Sequence, residues 1–199
     1  MPNIDDEVQI RAKTTNARFA TGTGGYNQFV MTGKIAASGS IMYLLDKDGD
    51  SNATLTDHCF VFLFGSQSSL TSSPEFPALT LAPYCYQLMF NWCEGLVKAP
   101  DILPATTLAE GCYWDMYSGC TSLTKAPELP ATTLVPYCYQ YMFNVDYALS
   151  EIKIGYTGNL YDSDAFGDWV NSVSASGTFY YNGSDTTRGT SAIPTGWTV

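Results

Sequence analysis

The sequence predicts an α/β fold built as a short solenoid of about four coils, with a narrow parallel β ladder, short helices and a cap at each end. The repeat is marked by cysteines spaced 26, 27 and 26 residues apart: Cys59, Cys85, Cys112 and Cys138. Apolar residues recur in phase, four residues later at Leu63, Met89, Met116 and Met142, and eleven residues later at Leu70, Leu96, Leu123 and Leu149. A unit of this length cannot bury its apolar face alone, so we expect the copies to stack.

Each unit is predicted to contain a short helix and then an extended segment. Leu108, Cys112 and Met116 have the i, i+4 spacing of one helix face, and Thr107 begins a Thr-x-x-Glu capping box. Residues 123–126 end before a proline, which biases the preceding residue away from the helical region. Side by side, such extended segments form a parallel ladder with the repeat leucines inside.

The repeats are predicted to span residues 59–154 between two caps. The copies are 59–84, 85–111, 112–137 and 138–154, and the extra residue of the second copy falls near Asp101 and Ile102. Residues 1–58 are predicted to form a β-rich N-terminal cap, with strands at Gln28–Thr32 and Ser38–Leu44. Residues 155–199 are predicted to form a C-terminal cap with a terminal strand or hairpin from Thr178 and one amphipathic helix carrying Phe166, Trp169, Val170 and Val173.

Composition excludes several classes of partner. The net charge is -10 and only 9 of 199 residues are Lys or Arg, so nucleic acid and anionic membrane surfaces are poor partners. No apolar run approaches the roughly 20 residues that cross a bilayer, so membrane insertion is not expected. The start, Met1 to Asp6, lacks the basic-then-apolar order of a secretory signal, which leaves the localisation open.

The cysteines and the single histidine give no catalytic or zinc motif. Cys85 and Cys93 are eight residues apart, unlike the two-residue knuckles of zinc sites, and no histidine accompanies them. Buried thiols are therefore favoured over a disulfide ladder or a metal site. His58 has no nucleophile motif nearby, and the carboxylates form no recognisable pair. The sequence thus predicts a protein that is not an enzyme and has no cofactor.

An acidic segment before the first repeat is the strongest local motif. Asp46, Asp48, Asp50 and Asp57 occupy positions 1, 3, 5 and 12 of an oxygen-rich loop, an arrangement that suits calcium. Against calcium, position 6 is Ser51, where an EF-hand requires glycine. A solvated acidic turn is therefore favoured, and calcium binding is the alternative.

Aromatic side chains outside the buried register are the candidate binding residues. Trp92, Trp114 and Tyr141 occupy offsets where other copies have small or polar residues, and Tyr113 and Tyr139 add to an unusual richness in tyrosine. Tyrosine and tryptophan give broad contact at low entropy cost, which suits recognition of a protein or glycan. The alternative is that these rings only stack between neighbouring coils.

The segment Met116–Leu134 resembles the BspA-like leucine-rich repeats of surface proteins from gut Bacteroidetes. Its part Ala126–Leu134, APELPATTL, is similar to repeats in proteins of phages that infect these bacteria. The resemblance covers residues 41–154 and the ending 193–199. The first copy departs from the pattern at Phe76–Leu81, and the fourth has Asp146 where earlier copies have cysteine.

This resemblance implies a right-handed leucine-rich-repeat solenoid that binds without chemistry. It implies adhesion, or recognition of a glycan or protein, on a phage virion or a bacterial cell surface. The alternative function is structural: a head or tail decoration subunit that packs against other virion proteins or against itself.

Overall fold

The computed structural model describes residues 9–10, 19–46, 48–49, 54–161 and 164–199. Its strands are β1 (Ile35–Ala36), β2 (Leu70–Ser72), β3 (Glu151–Lys153) and β4 (Thr178–Tyr180). Short 3-10 helices span Ile41–Leu44 and Asp164–Phe166. Within these ranges no α-helix forms, so the helices predicted for each repeat and for the C-terminal cap are wrong.

Overlapping β-turns take the place of the predicted helices. In residues 56–66, alternate amides donate to the carbonyl three residues back, as from Cys59 to Thr56 at 3.2 Å. The amides between them donate to the next repeat, as from Phe60 to Cys85 at 2.9 Å. The same pattern recurs in residues 82–93, 109–120 and 135–146. Alternate amides of the last range donate to carbonyls of residues 164–172. These five ranges are the turn segments.

A left-handed residue recurs every four positions along a turn segment, as at Tyr84, Leu88 and Trp92 with φ of 54°, 57° and 57°. This four-residue repeat explains the i, i+4 spacing, because it returns every fourth side chain to the same side. Cys85, Met89 and Cys93 accordingly have no exposed surface. The spacing marked the inward positions but did not distinguish a helix from successive turns.

The fifth turn segment replaces the predicted C-terminal helix. The amide of Tyr139 donates to the carbonyl of Ala165 at 3.0 Å, which continues the bonding between earlier copies. Phe166 stacks on Tyr139 with ring centroids 5.6 Å apart, and Trp169 lies 6.1 Å from Phe143. Residues 164–172 therefore cover the apolar end of the fourth repeat with one more layer of the same geometry.

The extended segments pair in parallel on the opposite side from the turn segments. β1 pairs with β2, β3 pairs with β4, and isolated bridges join Ser72 to Lys98 and Lys125 to Glu151. The bridge from Thr178 to Thr198 adds the C-terminal residues to the same series, hereafter the ladder. The repeat leucines lie beneath it and are buried, as their spacing predicts: Leu70, Leu96, Leu123 and Leu149.

The extra residue of the second copy interrupts the ladder. Among the described residues, no backbone hydrogen bond joins 97–100 to 124–127, and a cavity of about 200 Å³ opens there. Bonding resumes where the amide of Glu128 donates to the carbonyl of Asp101 at 2.9 Å. The insertion is thus absorbed as a local gap without changing the stacking on either side.

The N-terminal residues are less β-rich than the sequence predicts. Gln28–Thr32 contains no strand, and Ile41–Leu44 is a 3-10 helix where a strand was expected. Ser40 caps this helix, because its Oγ accepts a hydrogen bond from the amide of Met42 at 3.1 Å. Phe19 donates to the carbonyl of Cys59 at 2.7 Å, so the chain before the repeats bonds to the first turn segment. At the other end, the strand predicted from Thr178 is present as β4, which pairs in parallel and forms no hairpin.

Two columns of aromatic rings run through the core between the turn segments and the ladder. One column contains Phe60, Tyr86, Tyr113, Tyr139 and Phe166, with neighbouring centroids 5.6 to 5.9 Å apart. The other contains Phe64, Phe90, Tyr117, Phe143 and Trp169, with centroids 5.3 to 6.1 Å apart. Such pairs contribute about 0.5–1.5 kcal/mol each beyond area burial, so the columns tie each layer to the next. No helix in the described part of the chain is long and apolar enough to cross a membrane.

Candidate binding face

The predicted binding residues separate into a buried pair and a surface set. Tyr113 and Tyr139 are only 1% and 2% exposed and lie inside the first aromatic column, so they cannot contact a partner and their prediction is wrong. They follow the repeat cysteine directly, at an offset that the turn geometry buries together with the thiol. Trp92, Trp114 and Tyr141 retain exposed surface on the turn segments.

Trp114 belongs to a row of rings that crosses successive turn segments. His58 stacks on Tyr84 at 5.0 Å, Tyr84 lies 6.0 Å from Trp114, and Trp114 lies 5.9 Å from Tyr137. All are partly exposed, with Tyr137 the most open at 39%. These four side chains are the aromatic row, and they form one continuous strip across four turn segments.

Gly111 explains why a tryptophan fills the third place in the row. The row positions in the other turn segments each immediately precede the repeat cysteine: His58, Tyr84 and Tyr137. Gly111 has that offset in the third turn segment. A Cβ atom on Gly111 would lie 2.3 Å from Cε1 of Tyr84. The missing side chain leaves room for the Tyr84 ring, and Trp114 from the next turn bridges to Tyr137.

This shared offset is the signal that the sequence-based site prediction missed. His58, Tyr84 and Tyr137 have no unusual size for their offset, and only their shared place before a cysteine indicates a surface position. Comparing offsets separates the exposed residue before the cysteine from the buried aromatic after it.

Trp92 and Tyr141 occupy other left-handed positions of the turn segments. Trp92 is 47% exposed and lies against Gly119, where a Cβ atom would come within 2.8 Å of its Cδ2. Tyr141 is partly buried and has a positive φ of 54°, like the equivalent Leu88 and Asp115. The aromatic row with Trp92 and Tyr141 forms the turn face.

Two carboxylates lie within the turn face. The hydroxyl of Tyr84 donates to Oε1 of Glu110 at 2.5 Å, and this bond to a carboxylate raises the pKa of Tyr84 to about 12. Burial raises the pKa of Asp115 to about 6, against a hydrogen bond with Ser118 that lowers it. The face therefore combines aromatic rings with negative charge.

The acidic loop is only partly described. Asp50 lies outside the described residues, and Asp57 is exposed directly before His58. The amide of Asp48 donates to Oδ1 of Asp46 at 2.8 Å, which is the geometry of an Asx turn. No group of three or more potential ligands gathers among the residues the structure places, and calcium binding stays a prediction.

All six cysteines are buried with free thiols. Burial raises the pKa of Cys59, Cys93 and Cys138 to about 12, which disfavours the reactive thiolate. Cys93 lies with its Sγ 3.0 Å from the carbonyl oxygen of Phe64, and Cys120 is 3.3 Å from that of Phe90. The thiols therefore fill the core, and those of Cys93 and Cys120 donate to backbone carbonyls.

Comparisons with known proteins add no family to this picture. No family model matches the chain, and neither a curated protein nor a solved structure matches it. The leucine-rich-repeat class and the surface role that the resemblance implies therefore stay predictions.

Proposed function

We propose that this chain is a non-catalytic recognition protein whose turn face contacts a protein or glycan. In this proposal the repeats form a short leucine-rich-type solenoid displayed on a phage virion or a bacterial surface. The observation that carries the proposal is the aromatic row, which presents His58, Tyr84, Trp114 and Tyr137 as one partly exposed strip. Aromatic rings at the centre of an interface contribute a large share of binding energy.

The backbone beneath the row supports this role because it holds the rings in place before binding. The amide of Tyr84 donates to the carbonyl of Glu110 at 2.9 Å, and the amide of Tyr137 donates to that of Asp164 at 3.1 Å. The carbonyl of Trp114 accepts from the amide of Leu88 at 2.9 Å. A surface fixed in advance loses little conformational entropy on binding, which favours affinity.

Binding of fluorescently labelled protein to glycan arrays and to intact Bacteroidetes cells tests this function. Trp92→Ala combined with Trp114→Ala should remove most of the binding, because it deletes the largest rings of the turn face. Tyr161→Ala is the matched control, since Tyr161 is 65% exposed and lies outside the turn segments.

Two results would count against the proposal. Binding that survives the double tryptophan variant would remove the turn face as the recognition surface. Light scattering that finds a stable homo-oligomer, dissociated by the same double variant, would support the structural subunit instead.

A further inference from the structure

We infer that the turn face binds a cationic segment of a partner protein, with Arg or Lys side chains held between its carboxylates and its rings. This inference rests on the proposed function, because it assumes that the turn face is the recognition surface. It adds the chemistry of the partner.

The Lys and Arg side chains of the repeats lie on one side only. The five turn segments contain no Lys or Arg, whereas their surface carries carboxylates at Asp57, Glu110, Asp115, Asp164 and Asp168. The lysines of the repeats lie on the ladder instead, at Lys98, Lys125 and Lys153. A negative surface favours encounter with a positive one and disfavours like-charged partners.

A second copy of the chain is a poor occupant of this face. Lys125 and Lys153 on the ladder already pair with Glu151 and Glu128 of the same chain, at 2.8 and 2.9 Å. Two copies also carry a net charge of -10 each, so their approach is opposed by repulsion. A chain of different sequence with a positively charged segment is therefore the favoured occupant.

The ring geometry favours a cation over a neutral sugar. Neutral sugars stack on open ring faces, whereas each ring of the aromatic row has another ring 5.0 to 6.0 Å away on at least one side. Trp114 is tilted by 42° to Tyr84 and by 37° to Tyr137, which leaves wedges between the rings. A guanidinium or ammonium within about 6 Å of a ring centroid is attracted by the ring quadrupole, so it can enter such a wedge.

One carboxylate contacts the aromatic row, and a second follows Trp114 on the same turn segment. Glu110 is exposed and fixed beside the Tyr84–Trp114 wedge by the Tyr84 hydroxyl. Asp115 directly follows Trp114 in the chain and is partly desolvated. An incoming cation replaces the water that this carboxylate has lost, so charge pairing is worth more there than on an open surface. Arg also stacks on aromatic rings, which makes it the better ligand of the two cations.

Titration with short peptides tests this inference, with tryptophan fluorescence as the readout. The probes are hexa-arginine, hexaglutamate and a neutral Gly-Ser hexapeptide. Hexa-arginine should bind in preference to the other two, and its affinity should fall as salt is raised through about 0.15 M. Glu110→Gln combined with Asp115→Asn should weaken it by about tenfold.

A charge-matched control separates a specific face from general attraction to an acidic protein. Asp101→Asn combined with Glu75→Gln also removes two negative charges, but from exposed residues outside the turn segments. This control should change the affinity for hexa-arginine by less than about twofold. Equal weakening in the two double variants, or equal binding of hexaglutamate, would overturn the inference.

The two proposals fail in different ways. If the tryptophan double variant loses cell or glycan binding but the carboxylate double variant binds hexa-arginine like its control, the recognition function stands and the cationic partner is wrong. If the tryptophan double variant keeps its cell or glycan binding, the recognition function itself is wrong, whatever the peptides show.

Discussion

Asp146 occupies in the fourth repeat the place that Cys120 occupies in the third. The Sγ of Cys120 pairs with the carbonyl of Phe90, and the corresponding carbonyl for Asp146 is that of Tyr117. Asp146 has no exposed surface, and its carboxyl oxygens have no hydrogen-bond partner among the residues that the structure describes. The amides of Gly119 and Cys120 lie near the carboxyl group and lower its pKa. Both amides already donate to backbone carbonyls, those of Asn144 and Tyr117. Burial therefore holds the pKa of Asp146 well above its usual range.

Asp146→Cys should stabilise the protein at neutral and higher pH. The neutral acid is favoured in the folded state, whereas the unfolded carboxyl ionises above a pKa of about 3.9, so stability falls as pH rises from there toward the folded pKa. Cysteine removes this penalty. Urea unfolding at about pH 8 should show a gain of about 1–3 kcal/mol, and a smaller gain at about pH 5.

The reverse substitution, Cys120→Asp, is the control for this pH dependence. It should destabilise the protein, and more strongly at the higher pH. A gain for Asp146→Cys that is the same at both pH values would show that the effect comes from packing and not from the buried charge.

Gly111→Ala should destabilise the fold more than alanine at a glycine of similar backbone. Gly111 has φ of +56° and its added Cβ would strike the Tyr84 ring, whereas Gly33 has φ of +79° with no atom within 4 Å. Both substitutions incur the cost of a left-handed alanine, about 1 kcal/mol, but only Gly111→Ala must displace a ring. We expect its melting temperature to be lower by a further 2–4 °C, roughly 1 kcal/mol. Equal melting temperatures for the two variants would contradict the contact.

The repeat could be derived from the sequence because its inward positions recur at fixed offsets. Leu96 and Leu123 lie beneath the ladder, and Cys85 and Cys112 lie in the core, as the spacing predicts. The sequence pattern could not distinguish helices from successive turns, because turns with a left-handed residue at every fourth position bury the same residues as a short helix. Only the backbone shows that alternate amides bond to the next repeat.

The candidate site was predicted in part for the same reason. Trp92 and Trp114 are large residues at offsets where the other copies have small or polar residues, and both are partly exposed. Tyr113 and Tyr139 were wrongly predicted as binding residues, because tyrosine is found both on binding surfaces and in stacked cores. Their in-phase partners, Phe60 and Tyr86, indicate the buried column once the offsets are compared.

Tyr86→Phe should be neutral or stabilising. Tyr86 is fully buried in the first aromatic column, and within the described part of the chain its hydroxyl has no hydrogen-bond partner. Phe60 and Phe166 occupy the same column, so a phenyl ring fits the layer. Removing a buried, unpaired hydroxyl should raise the free energy of unfolding by up to about 1 kcal/mol in urea.

Tyr181→Phe is the matched control for that change. The Tyr181 hydroxyl donates to the carbonyl of Gly158 at 2.5 Å, so its loss leaves that carbonyl without this donor. This variant should lose about 1 kcal/mol. If Tyr86→Phe were destabilised as much as Tyr181→Phe, the Tyr86 hydroxyl would have a partner such as a buried water.

The thiols should react only when the protein unfolds. All six cysteines are free and buried, and burial raises the pKa of each, so little thiolate is present or accessible at neutral pH. A thiol-reactive dye should therefore label the native protein slowly and all six thiols quickly in guanidinium.

Melting temperatures should also be unchanged by dithiothreitol or EDTA, because neither a disulfide nor a metal would be removed. A fall with dithiothreitol would indicate a disulfide ladder, and a fall with EDTA would indicate a bound metal, in the acidic loop from Asp46 to Asp57 or elsewhere.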